Sequence, residues 1–261
     1  MLVHPQVSGW LICVIGMWLV CLAVLAPSPA LAERLLGADK RPLLIMGTSD
    51  APPYMIQATD SGLDVDIPRA ALARLGYRLQ VRYMSLARAE EELRSGRIDL
   101  MAPLFVGDKP GIYSSEPHVM YRPTAFSLAQ RALKVTTLSD LGDYQMMTFQ
   151  GATDYFGPAF VEASLRSPAY SEVYNMNNLA RSLFAGRTDL VVLDYNIFYY
   201  QLRQLDKTPV DTLRVHEILP RVPAVVGFNR VALRDAFNGA LRALRDDGSH
   251  TAILKRYSPQ L

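Results

Sequence analysis

The chain has 261 residues, half of them hydrophobic and 20% charged, which is enough for packed cores in two modest domains and excludes a disordered chain. Its 27 basic and 25 acidic side chains nearly balance at a formal charge of +2. No run of like charge forms the basic stripe that a nucleic-acid surface requires, so nucleic acid is not an expected partner.

From Trp10 to Ala26 almost every residue is apolar, over roughly the length of a short membrane span. Pro27 and Pro29 break the run, and Ala30-Leu31-Ala32 supplies the small-x-small pattern of a cleavage site. Residues 1–32 are expected to be a secretory signal peptide cut after Ala32. The stretch before Trp10 carries His4 but no Lys or Arg, so an uncleaved N-terminal anchor is the alternative. Cys13 and Cys21 both fall inside this segment. The mature chain then has no disulfide and no cysteine-based site, and export without disulfides points to a bacterial periplasm.

Leu43-Leu44-Ile45-Met46 reads as a first buried strand, followed by a loop from Thr48 to Tyr54 in which Pro52-Pro53 disfavours helix. Asp64 or Asp66 can cap the next helix, which carries Ile67, Ala70, Ala71 and Leu75 on one face and stops at Gly76. Leu79, Val81 and Tyr83 alternate as a strand, Ala87 to Ser95 forms a charged helix, and Leu100 to Leu104 a further strand. An extended run covers Thr124 to Leu128. Met146 to Phe149 is strand-like and leads to Gly151, with a helix from Gly157 to Leu165, a short strand at Val173 and Tyr174, and a helix from Leu179 to Ala185. Leu190 to Leu193 is a fully apolar strand, followed by Asp194 and an aromatic helix through Tyr200; Ala224 to Phe228 is a strand, and Leu233 to Tyr257 two helices punctuated by Gly248.

One phrase occurs twice. Ser95-Gly96-Arg97-Ile98-Asp99-Leu100 returns as Ala185-Gly186-Arg187-Thr188-Asp189-Leu190. Each copy ends a helix with glycine and opens a buried strand. Two copies imply two similar α/β lobes with largely parallel sheets and a cleft between them, and such sheets bind solutes beyond the carboxyl ends of their strands. The arginines and aspartates of the phrase read as turn residues. The histidines are scattered without metal-ligand spacing, so neither a metal nor a cofactor is expected.

Taken in order, Ala51-Pro52-Pro53-Tyr54, Gly62-Leu63-Asp64-Val65-Asp66, the Ser95–Leu100 phrase, Ser115-Glu116-Pro117, Gln150-Gly151-Ala152-Thr153, the Ala185–Leu190 phrase with Asp194, and Phe237-Asn238 through Ile253-Leu254-Lys255-Arg256-Tyr257 resemble the bacterial extracellular solute-binding proteins of the polar amino acid type, family 3. The resemblance spans roughly Leu43 to Tyr257. It implies a two-lobed periplasmic-binding-protein-like fold (type II): a discontinuous first lobe over residues 33–127 and 221–261, a second over 128–220, and two hinge strands, for which Thr124–Leu128 and Ala224–Phe228 are the candidates. It also implies a monomer that closes on a small polar or zwitterionic solute and hands it to an ABC permease in the inner membrane.

Gly151-Ala152-Thr153-Asp154 follows a strand and precedes a helix, and its amides can take an anion; the resemblance assigns it the solute's carboxylate. Asp194, at the end of an apolar strand, can pair with an ammonium or cap the following helix; the resemblance assigns it the amine. Tyr54 can stack on the solute, with Asp50 and Ala51 on the same wall. Pro103 and Leu104 stand where the family places a serine or threonine, and no arginine stands at the position that the family's spacing gives after them. The forward and backward counts fall on Pro110 or Gly111 and on Asp108, leaving Lys109 as the nearby cation. A solute with a more apolar body, or one that is not an amino acid, is therefore expected. A sensory or accessory binding module is the alternative, followed by a periplasmic dehydratase of the same fold using Glu116 or Asp194 as general acid.

Overall fold

The computed structural model describes residues 41–105, 109–205 and 212–257. The expected signal peptide, with Cys13 and Cys21, lies outside them, as does Asp108.

The first sheet is built from β1 (Leu43–Thr48), β2 (Arg78–Tyr83), β3 (Leu100–Leu104), β4 (Tyr113–Ser114), β5 (Val119–Tyr121) and β11 (Val222–Phe228), in the order β2-β1-β3-β11-β4 with β5 also on β11. β1 runs parallel to β2 and β3, and β11 is antiparallel to β3, β4 and β5. The second sheet has β6 (Pro123–Leu128), β7 (Met146–Phe149), β8 (Tyr170–Val173), β9 (Leu190–Asp194) and β10 (Leu213–His216), in the order β10-β6-β9-β7-β8. β7 is parallel to β8 and β9, while β6 is antiparallel to β9 and β10. Each sheet thus sets parallel strands beside one antiparallel partner.

The helices follow the apolar spacing. α1 (Leu63–Arg74) packs on β2, and α2 (Leu86–Arg94) on β1 and β3. In the second lobe come α3 (Ala152–Phe156), α4 (Pro158–Arg166), α5 (Leu179–Phe184) and α6 (Tyr195–Leu202). α7 (Val231–Asp246) and α8 (Ser249–Tyr257) return to the first sheet, packing on each other and on α1. α7 buries Leu233, Phe237, Ala240, Leu241 and Leu244, the stripe expected of a helix with one face on a core. The cap of α1 differs from expectation. Gly62 is its N-cap residue and no side chain caps it; Asp64 is instead wholly buried and engaged elsewhere.

The doubled phrase lands on equivalent places. Gly96 (φ +71°) and Gly186 (φ +67°) take the left-handed conformation after α2 and α5. Asp99 then accepts from the amide of Ile45 at 2.9 Å and Asp189 from that of Gln145 at 3.1 Å, each tying the start of a neighbouring parallel strand. Thr48 and Thr148 complete the parallel, donating to the carbonyls of Ala102 and Val192.

The chain passes from the first sheet to the second between β5 and β6, at Arg122, and returns between β10 and β11. A boundary after residue 127 would cut through β6, whose partners all belong to the second sheet. The strand segments expected as hinges, Thr124–Leu128 and Ala224–Phe228, are likewise sheet strands. Each belongs to the strand that follows a change of sheet, β6 after Arg122 and β11 after β10.

Candidate functional site

Beyond the carboxyl ends of β1, β3, β7 and β9 lies a cavity of about 340 Å³, lined by residues of both sheets and their loops. Ser49, Ala51 and Met55 follow β1, Pro103 and Phe105 close β3, and Tyr121 and Pro123 flank the crossing. From the other side come Phe149, Gln150 and Gly151 after β7, Tyr155 and Phe156 of α3, Met176, and Leu193, Asp194 and Ile197 around the start of α6. The wall is mostly aromatic and aliphatic. Phe105 meets Tyr121 and Tyr155 edge to face (88° and 86°), and Tyr155 meets Phe149 and Phe156 at 74° and 78°.

Asp194 is the first polar side chain after the buried run Leu190–Leu193, and it is buried itself. One carboxylate oxygen accepts from the amides of Asn196 (2.8 Å) and Ile197 (3.2 Å), capping α6, and the other accepts from the amide of Arg122 (2.6 Å). Burial pushes its pKa up to about 6, against the opposing pull of those amides and of the Tyr54 hydroxyl. The side chain thus caps a helix, fastens the crossing at Arg122 and faces the cavity.

Behind the Tyr121 ring sits a second buried carboxylate. Asp64 accepts from the Tyr121 hydroxyl at 2.6 Å and contacts His118 Nε2 at 2.7 Å. Tyr121 stacks on Tyr54 (3.8 Å, 12°), whose hydroxyl accepts from Asn196 Nδ2 at 2.9 Å and so joins the loop after β1 to α6. Burial, then the charges of Asp194 and Asp64, raise the Tyr155 hydroxyl above its ordinary pKa.

Two amides at the start of α3, those of Gly151 and Thr153, are already occupied. Glu172, on β8, accepts from the amides of Gly151 (2.7 Å) and Thr153 (3.2 Å) and from the hydroxyls of Thr153 (3.2 Å) and Tyr170 (2.6 Å). The chain's own carboxylate sits where a solute's carboxylate was expected.

Of the residues singled out from sequence, Ala51, Pro103, Gly151 and Asp194 line the cavity. Tyr54 is fully buried behind the wall. Asp50 is exposed and accepts from the amide of Gln57, holding its turn. Leu104 alternates away from Pro103 into a cluster with Met101 and Ile112. Ala152 is buried in the second lobe beside Phe160, Thr153 is bound to Glu172, and Asp154 is exposed on the rim of a separate shallow depression. Sequence reasoning passed over the rings of Phe105, Phe149, Tyr155 and Phe156; the aromatic residues bracketing Gly151 were the available signal.

The family model for bacterial extracellular solute-binding proteins, family 3, matches residues 44–260. Among curated protein sequences none matches this one. Solved structures with the same fold include an ancestral arginine-binding protein bound to arginine (19% identity, 84% of this chain and 99% of that one, TM-score 0.67). Another is an ancestral amino acid-binding protein, a precursor of cyclohexadienyl dehydratase (17% identity, 88% and 97%, TM-score 0.65). A third is the substrate-binding protein of an amino acid ABC transporter (19% identity, 82% and 98%, TM-score 0.60).

Proposed function

The chain belongs to the bacterial extracellular solute-binding proteins, family 3, and from that membership we propose that it captures a small solute with a largely apolar body in the cavity between its two sheets and delivers it, in the periplasm, to an ABC-type permease. The observation that carries this reading is the cavity itself, of a size suited to a small molecule and walled by rings from both lobes. The amino acid ABC transporter protein of the same fold supports the coupling to import. Binding is favoured over catalysis by the state of the acids. Glu116 is engaged by Arg242 and Arg245 of α7 and does not line the cavity, so among the described residues Asp194 faces the cavity without a second carboxylate, histidine or lysine to complete an acid–base pair.

Mass spectrometry of small molecules released on denaturing the purified protein, followed by thermal shift with the compounds found, tests the proposal. A solute at about 100 times its Kd stabilises by about 2.7 kcal/mol, or about 5 to 10 °C in Tm for a protein of this size. Met176→Trp, which puts an indole into the cavity, abolishes that shift if the cavity is the site. An unchanged shift places the solute elsewhere. Loss of cellular uptake of the same solute on deleting the gene tests the permease coupling, and unchanged uptake refutes it.

A further inference from the structure

We infer that the solute of this cavity is an organic cation without a carboxylate, its charge carried by an alkylated nitrogen seated against aromatic faces. The inference rests on the cavity being the solute site, as proposed above.

An anion finds no cation there, only the neutral donors of Ser49 and Gln150. Among the described residues, no lysine or arginine lines the cavity. The basic side chain beside the wall, Arg122, lies over the Tyr195 ring at 4.0 Å and pairs with Glu217. Lys109, the substitute considered for the family's arginine, pairs with Glu90 at 2.7 Å. The amides of Gly151 and Thr153, with the Thr153 hydroxyl, are taken by Glu172. A zwitterion entering the cavity would bury its carboxylate without a cationic partner, which is unfavourable.

A cation meets the opposite field. Asp194 lies in the wall and Asp64 stands directly behind Tyr121. Between them they leave an N–H group at most one acceptor site within reach. The oxygens of Asp194 take three main-chain amides, and Asp64 is wholly buried behind Tyr121, out of a solute's reach. A primary ammonium, with three donors to satisfy, would be left short. A quaternary ammonium has no N–H to satisfy and needs only negative potential and polarisable surface. The edge-to-face array of Tyr121, Phe105, Tyr155, Phe149 and Phe156 presents ring faces in several directions, which is what such a cation binds.

Isothermal titration with tetramethylammonium, choline, choline's neutral carbon isostere dimethylbutanol, and L-glutamine tests the inference. Both cations are expected to bind, with choline at least about tenfold tighter than the isostere. Phe149→Leu keeps apolar bulk and removes the π face; it is expected to weaken choline several-fold while leaving the isostere within about twofold. Tyr155→Leu is the second variant should the first fail to fold. Equal affinity for choline and the isostere, tighter binding of L-glutamine than of choline, or no binding of either cation at millimolar concentration overturns the assignment. The site reading is judged separately. A neutral solute or amino acid displaced by Met176→Trp upholds the cavity while the cation falls, whereas solutes indifferent to Met176→Trp remove the cavity itself.

Discussion

Replacing Glu172 with alanine removes the acceptor of two amides and two hydroxyls at the start of α3. A hydrogen bond to a charged group contributes about 1.5–3 kcal/mol when sheltered. Glu172 is only partly buried, and water replaces much of what is lost, so the expected cost of all four together is about 2 kcal/mol, or about 4 to 8 °C in Tm. The pH dependence is the sharper readout. Burial alone would raise the Glu172 pKa, but the Tyr170 hydroxyl, the Gly151 and Thr153 amides and the Thr153 hydroxyl outweigh it and hold it below the ordinary value. A depressed folded pKa gives stability that is present above the unfolded value near 4.5 and is lost as pH falls through the folded one. Urea denaturation of the native protein and Glu172→Ala at neutral pH and at about pH 3 measures both effects. A gap at neutral pH that closes on acidification is expected. Equal stabilities at neutral pH, or a gap that persists undiminished in acid, refutes the account of the filled amide seat.

Three further outcomes follow from the geometry. Asp194 has a folded pKa raised to about 6, so its protonated form is favoured in the native state; relative to Asp194→Asn, the native protein should gain up to about 3 kcal/mol as pH falls from about 6 to about 4, read from paired urea midpoints, and a flat difference contradicts it. Asn196→Ala removes the donor to the Tyr54 hydroxyl and should cost about 1 kcal/mol in chemical denaturation. Gly62 has φ +126°, and a Cβ there would lie 2.2 Å from the Tyr54 carbonyl oxygen; Gly62→Ala should cost about 3 kcal/mol or more and perturb the Tyr54–Tyr121 stack in near-ultraviolet dichroism.

Much of the architecture could be read from local sequence because local rules decide it. The apolar run Leu190–Leu193 is a central strand of its sheet, and glycine stops α2 and α5 where the doubled phrase required. The site was less legible, since pairings distant in sequence decide it. Glu172 lies on β8, and only the parallel register of β7 with β8, pairing Thr148 with Glu172, brings its carboxylate under Gly151. Asp64 has the position of a helix cap in sequence, yet Tyr121 and His118, brought over by the fold, claim its oxygens. Pro103 and Leu104 are neighbours on one strand and therefore face opposite ways, one to the cavity and one to the core. The change of sheet at Arg122 is too short to leave a pattern.

β11 lies between β3 and β4 in the first sheet, although it comes after the whole of the second sheet in sequence. An emerging polypeptide can therefore finish its inserted half while the half that contains its own beginning still lacks an interior strand. Until Val222–Phe228 arrives, β3 offers an unpaired edge. The vulnerable interval lasts until those residues emerge, and a break anywhere upstream of them leaves the first sheet unsealed.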